Sequence, residues 1–425
     1  MLYWFKLGFI SFGGPAGQIS MMHHELVEKR KWIAEDNFMH ALNFTMLLPG
    51  PEAQQLATYL GWLMHGKLGG FIAGIFFILP SLLILITLSW VYVAYNELNW
   101  VNGFFYGVKP AVVAIVFFAA VKIGKKALKH PVSWMLALIS FASISLLKIP
   151  FPYIIISAAA FGFLINKYKP TVYESSHAQE KNTKHPNEKT LEIETQGNGI
   201  FNYKNLLSVL SAGIAIWLLV FYLVPLTFSN ASIFKDMSLF FTKAALVTFG
   251  GAYAVLPYVY QNAVDGFQWL SAGQMIDGLA LGESTPGPLI MIVTFVGFVA
   301  GWSADLAGIP SYMSAVACAL VATFFTFLPS FIFIFIGAPF VEITHNNPKF
   351  KIPLMTVTSA VIGVIASLGV FFSSNVFWPN GFDSQPDRYS ILLGALVALV
   401  LSKKDMPILP VIFVSGITGI IMTIF

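Results

Sequence analysis

The chain has 425 residues, 57% of them hydrophobic and 10% charged, with 24 Lys+Arg against 20 Asp+Glu. A soluble fold cannot cover so much apolar surface, so lipid is the solvent for most of it, and a cytosolic enzyme is excluded. The net charge of +4 is small and scattered, which excludes a nucleic-acid partner, and the single cysteine, Cys318, excludes a disulfide framework or a cysteine-based zinc site.

No secretory leader is visible at the start, which runs straight into Phe12-Gly13-Gly14-Pro15, so the N-terminus is expected to belong to the mature fold. A charged patch follows at Lys29-Arg30-Lys31, after His23-His24-Glu25. That His pair lacks an HExxH spacing and a nearby Cys, so it is expected to be a solvated interfacial face and no metal site. Next comes an apolar stretch, 38–65, interrupted by Pro49-Gly50-Pro51. Spans are predicted at 69–95, 103–121, 132–147, 150–166, 204–226, 312–338, 354–372, 389–401 and 406–424. Between 167 and 203 apolar residues almost vanish, and this stretch is expected to be a loosely ordered cytoplasmic linker. The chain thus divides into a first membrane repeat (1–166), the linker (167–203), a linking helix and loop (204–237) and a second repeat (238–425).

The halves repeat. Lys6–Gly14 (KLGFISFGG) falls on Lys243–Gly251 (KAALVTFGG) at an offset of 237, as does Trp32 on Trp269 and Pro49-Gly50-Pro51 on Pro286-Gly287-Pro288. A short insertion then shifts the register to 249, which carries Leu79-Pro80-Ser81 to Leu328-Pro329-Ser330. Ala111-Val112 falls on Ala360-Val361 at the same offset, and five matches in order point to duplication. Equivalent loops carry opposite charge: Lys122, Lys125, Lys126 and Lys129 face Asp383 and Asp387 with only Arg388, whereas Glu97 faces Lys349 and Lys351. Basic loops stay cytoplasmic, so the halves are expected to be inverted in the bilayer. Parity then requires 38–65 to enter and return on one side. Its arms would each be roughly 16–20 Å long, too short to cross 30 Å of hydrocarbon. The expectation is an all-α polytopic membrane protein of two inverted repeats, with about nine crossings, four re-entrant hairpins, the N-terminus inside and the C-terminus outside.

Non-helical backbone at membrane depth is tolerated where it lines a wet cavity or lies buried in protein. The breaks at Gly13-Gly14-Pro15, Pro49-Gly50-Pro51, Gly250-Gly251 and Pro286-Gly287-Pro288 would each start a half-helix whose positive end suits an anion. Polar neighbours fit that site: Gln18, Gln54 and Gln55, Tyr253, and Ser284 with Thr285. Lys109, before Pro110, is the basic residue expected nearest to it, with snorkelling as its alternative. Glu52 and Glu283 are acids inside hydrophobic segments that abut a break, and they are candidate carriers of a coupling proton. Glu52 equally suits the first turn of a helix.

The runs Ser11–Gln18 (SFGGPAGQ), His23–Trp32 (HHELVEKRKW) and Leu47–Tyr59 (LLPGPEAQQLATY) resemble the bacterial chromate ion transporter family, and the second-half breaks are similar to those of its long, two-domain members. The lead before the first break is shorter here than in many members, and the linker carries no resemblance. The family resemblance implies a multi-pass carrier in the bacterial plasma (inner) membrane. It would export chromate, with sulfate as a related cargo, and confer chromate resistance without a cofactor. A carrier of sulfate or another small anion, or an anion channel, remains as an alternative, and a homodimer stays open. A membrane-embedded enzyme is disfavoured, because no nucleophile–base pair or metal cluster stands at membrane depth.

Overall fold

In the computed structural model the described residues are 1–12, 14–95, 97–168, 203–228, 232–249, 252–304, 306, 308–341, 351–403 and 406–424, and they contain no strand. Gly13, Gly250, Gly251, Lys349 and most of the expected linker lie outside this set. The first half runs α1 (Leu2–Ile10), α2 (Gly14–His23), a π-helical turn (His24–Lys29), α3 (Glu35–Thr45), α4 (Glu52–Ala94), α5 (Asn99–Ala127), α6 (Pro131–Ser145) and α7 (Phe151–Tyr168). Helix α8 (Tyr203–Thr227) follows. The second half repeats the order: α9 (Ser232–Val247), α10 (Ala252–Tyr260), a π-helical turn (Gln261–Gly266), α11 (Ala272–Ser284), a 3-10 turn (Leu289–Met291) leading into α12 (Ile292–Ser303), then α13 (Ser311–Val341), α14 (Lys351–Phe377), α15 (Arg388–Lys403) and α16 (Ile408–Ile424).

The duplication extends to backbone detail. At the offset of 237 the two π turns coincide at both ends, and each is followed by a residue of positive φ, Lys31 at 51° and Gln268 at 54°. Trp32 N donates to Leu26 O and Trp269 N to Ala263 O, both at 2.8 Å and both pairs at the same offset. Local geometry this unusual would not arise twice from composition alone.

Six described helices are long and apolar enough to cross a membrane: α4, α5, α7, α8, α13 and α14. Helices α6 and α16 are apolar but shorter, at 15 and 17 residues. The chain is an all-α polytopic membrane protein. Helix α4 has 43 residues and would measure about 64 Å if straight, twice the hydrocarbon thickness. It is instead broken at His65 (φ −142°) and Gly66 (φ +64°). Residues on either side then pack antiparallel: a Cβ at Gly61 would meet Ala73 at 2.5 Å, and one at Gly70 would meet Thr58 O at 2.8 Å. Only glycine allows such backbone approach. Thus 52–64 is the returning arm of the hairpin that α3 begins, and 67–94 is the long helix beyond it. In the second half α12 and α13 take the same two parts, with Gly297 and Gly301 lying against Cys318 and Ser314.

Candidate functional site

Four loops, two from each half, meet at a crossing. Gly50 N donates to Thr248 O at 2.7 Å, and Gly287 N donates to Ser11 O at 2.9 Å. These are one contact made twice, because Ser11 and Thr248 are repeat mates, as are Gly50 and Gly287. Each half therefore lends its Pro-Gly-Pro loop to the other half's Phe-Gly-Gly loop. Both glycines need their positive φ, 129° and 112°. A Cβ at Gly50 would lie 2.5 Å from Ser330 Oγ, and one at Gly287 would lie 2.6 Å from Ser81 Cβ. Ser81 and Ser330 are mates as well, at the offset of 249. The crossing is thus a pseudo-two-fold centre built from backbone and two serines. Proline sets the helix starts on either side: Pro51 precedes α4, and Pro15 stands in the first turn of α2 after Gly14, whose φ is +69°.

The amides tie these loops together. Gln18 Nε2 donates to Gly287 O at 2.5 Å and to Ser11 O at 3.2 Å, so its two protons bridge the halves. Gln55 Nε2 donates to Pro49 O at 2.7 Å and closes the loop it follows. Gln54 Nε2 donates to Thr58 Oγ1 at 2.9 Å within its own helix. With the amide nitrogens so committed, Gln18, Gln54 and Gln55 each present a buried Oε1 without a hydrogen-bond partner among the described residues. Ser11 Oγ and Ser330 Oγ are buried and unpartnered in the same sense. Ser284 Oγ and Thr285 Oγ1 both donate back to Leu281 O, at 3.0 and 2.6 Å, and finish α11. The first N–H groups of α4, from Glu52 to Gln54, have no acceptor inside their helix.

The acids are held differently from the amides. Tyr253 OH donates to Glu283 Oε1, joining α10 to α11 in the second half. Glu52, at the first position of α4, is half-buried and bonds no other described side chain. Lys109 is not at the break. Its Nζ lies 3.4 Å from Asp277 Oδ2, and Asp277 stands nine residues before Pro286, about 13 Å back along α11. Asp277 Oδ2 also accepts from Tyr92 OH at 2.9 Å. A capping box starts that helix, with Ser271 Oγ accepting from Gln274 N and Gln274 Oε1 accepting from Ser271 N.

Sequence reasoning named Gln18, Pro49, Gly50, Gln55 and Gly287, which the fold brings to the crossing, and Tyr253 with Glu283, which it pairs. Gly14, Pro51, Gln54, Ser284 and Thr285 stand in the adjoining turns. Gly13, Gly250 and Gly251 lie outside the described residues. It missed Ser11, Ser81 and Ser330, although Ser81 and Ser330 stand inside a repeated Leu-Pro-Ser that was itself a signal. Asp277 was missed because it does not abut a break. At the periphery, His23 Nε2 lies 2.6 Å from Glu35 Oε2, and His24 Nδ1 lies 2.6 Å from Glu28 Oε2. Arg30 and Lys29 both bond Glu25, at 2.7 and 3.1 Å, and hold its carboxyl below the usual carboxylate range.

Comparison with known proteins places this arrangement. The family described as chromate transporter matches residues 1–163 and 235–420, one block in each half. A probable chromate transport protein of Synechococcus elongatus is 31% identical over 99% of this chain and 94% of its own length. Chromate transport proteins of Pseudomonas aeruginosa and Cupriavidus metallidurans are 30% and 28% identical, over 97% and 86% of this chain and 89% and 80% of their own lengths. No solved structure matches the chain. By the match of the family to both halves, and by near-full-length identity to these relatives, the chain belongs to the chromate transporter family.

Proposed function

We propose that this chain is a secondary carrier that moves chromate, or a related tetrahedral oxyanion such as sulfate, outward across the bacterial plasma membrane and so confers chromate resistance. The halves lie inverted in the bilayer, the broken segments are re-entrant, and the anion binds beside the crossing of the Phe-Gly-Gly and Pro-Gly-Pro loops. One observation carries the proposal: the contact Gly50 N to Thr248 O recurs as Gly287 N to Ser11 O. A contact made reciprocally by two duplicated halves supports the reading that the halves can exchange roles, as alternating access requires.

At the crossing the donors left for an oxyanion are the Ser11 and Ser330 hydroxyls and the first-turn N–H groups of α4. The free amide oxygens of Gln18, Gln54 and Gln55 would accept from water held by the anion. Fixed dipoles suit the task, since they attract an anion without trapping it as a buried cation would. Glu283, bonded by Tyr253, and Glu52 are the groups proposed to carry a coupling proton. Export needs no such partner: a dianion leaving a cell at 100 mV, inside negative, gains about 4.6 kcal/mol, twice the roughly 2.3 kcal/mol per charge.

Purified protein in lipid vesicles with an imposed potential tests this. Chromate flux should follow the potential, saturate, and fall when sulfate competes. Gln55→Ala and Glu283→Gln should each cut it about tenfold. Absence of flux at any potential, together with full cellular chromate resistance in both variants, would refute the proposal. Flux that does not saturate would identify a channel.

A further inference from the structure

Lys109 lies ten residues into α5, about 15 Å from the start of that helix, where an unneutralised charge is costly. Its neighbour Asp277 is 3% exposed, while the Lys109 side chain is 31% exposed. The pair therefore stands at the edge of the packed interior, one deep group facing one accessible group.

Two features separate it from a structural salt bridge. First, it is loosely made. Buried ion pairs that hold a fold satisfy both carboxylate oxygens and sit near 2.7–2.9 Å. Here Lys109 Nζ and Tyr92 OH both address Oδ2, at 3.4 and 2.9 Å, and Oδ1 is buried with no partner among the described residues. Lys109 makes no hydrogen bond to another described residue. Second, it is absent from the other half. The repeat mates of Asp277 and Lys109 are His40 and Thr358, so the shared backbone geometry does not require the pair.

We propose that Asp277 is a resident counterion and that Lys109 exchanges it for the transported anion, forming an outlying oxyanion station along α11 before the crossing. The proposal presupposes that the chain carries an oxyanion. An arriving tetrahedral anion takes the ammonium from Oδ2, and Tyr92 continues to donate to the released carboxylate. The station holds the anion by one charge only, so it passes ions on toward the Pro286–Pro288 loop without retaining them. The cost of parting Lys109 from Asp277 sets how strongly the anion must be charged to enter.

The test is initial chromate flux into vesicles over a range of chromate concentrations, with the amount of folded protein measured separately. Asp277→Asn leaves Lys109 unopposed and should lower the half-saturating concentration about tenfold, with a slower maximal rate. Lys109→Gln should raise it about tenfold with little change in maximal rate. The swap of Asp277→Lys with Lys109→Asp keeps an ion pair, and should yield folded protein that saturates as poorly as Lys109→Gln. Should the single variants fail to fold, Tyr92→Phe removes one hydroxyl only. It strengthens Asp277 as a competitor for Lys109 and should raise half-saturation about twofold to threefold. The proposal is overturned if half-saturation is unmoved in every folded variant, or if the swap restores normal transport as a purely structural pair would. If the unaltered protein carries no anion at all, the carrier function itself fails, a different outcome from either.

Discussion

The two halves share a backbone and divide the chemistry. At the crossing each supplies the same glycine, the same loop carbonyl and the same serine position. Around it they differ. The first half carries Glu52, Gln18, Gln54 and Gln55, whose mates are Leu289, Val255, Met291 and Ile292. The second half carries Tyr253, Asp277 and Glu283, whose mates are Ala16, His40 and Met46. Whatever both halves keep is a demand of the fold. Whatever only one half keeps is free to serve the cargo, because the other half folds without it.

The largest effect should come from what is shared. Gly50→Ala and Gly287→Ala each force a Cβ into a serine while straining a positive φ, and each should cost about 3 kcal/mol or more and abolish flux. Equal losses of thermal stability in detergent would confirm equivalence. Ser330→Gly should partly rescue Gly50→Ala and leave Gly287→Ala unimproved, since only Gly50 meets Ser330. Rescue of both would break the pairing described here.

Next in size is Gln18→Ala, which removes both bonds bridging Ser11 and Gly287 and should cost about 2–3 kcal/mol, with flux down about tenfold. Val255→Ala at the mate position trims packing alone, and flux per folded molecule should stay within about twofold. Similar flux losses in both would mean that the halves do not divide the work. Smaller again is Tyr253→Phe, which takes one hydrogen bond from Glu283 and should lower flux about threefold to tenfold while leaving chromate half-saturation within about twofold. The smallest effect lies at the charged turn. Arg30 and Lys29 hold the Glu25 carboxyl low, so its bracing is present above the ordinary carboxylate value and lost as pH falls through the lowered one. Glu25→Gln should therefore speed amide exchange over 25–33 at neutral pH, and match the unaltered chain once acid has protonated Glu25. Its mate Asn262 lacks the charge, so exchange over 262–270 should not respond.

Much of the fold was legible because membranes impose simple rules. Apolar length predicted the helices, and the nine expected spans all fall on helical segments. Parity and short arm length gave the expectation of a re-entrant hairpin around Pro49–Pro51; in the structure the chain breaks there between α3 and α4, and again at His65-Gly66. The crossing was less legible. Glycine and proline mark where a helix stops, but not which other stop it meets, and the partners here are separated by about 200 residues or more. On sequence grounds Lys109 was the basic residue expected nearest the site, with snorkelling as its alternative; the packing of α5 against α11 carries it to Asp277. No local pattern distinguishes those destinations, because a lysine's reach spans more than one helical turn.

By itself the sequence determined what is local or periodic: lipid as solvent, helices by apolar length, the duplication by matched motifs, and the breaks by Gly and Pro. Its family followed from motifs of the same kind. Only the tertiary structure decided which loops cross, that Gln18 joins the two halves, and that Asp277 opposes Lys109. Those contacts connect residues far apart in the chain, and each depends on helices meeting at particular depths and angles. Composition constrains neither, whereas packing at ångström distances settles both.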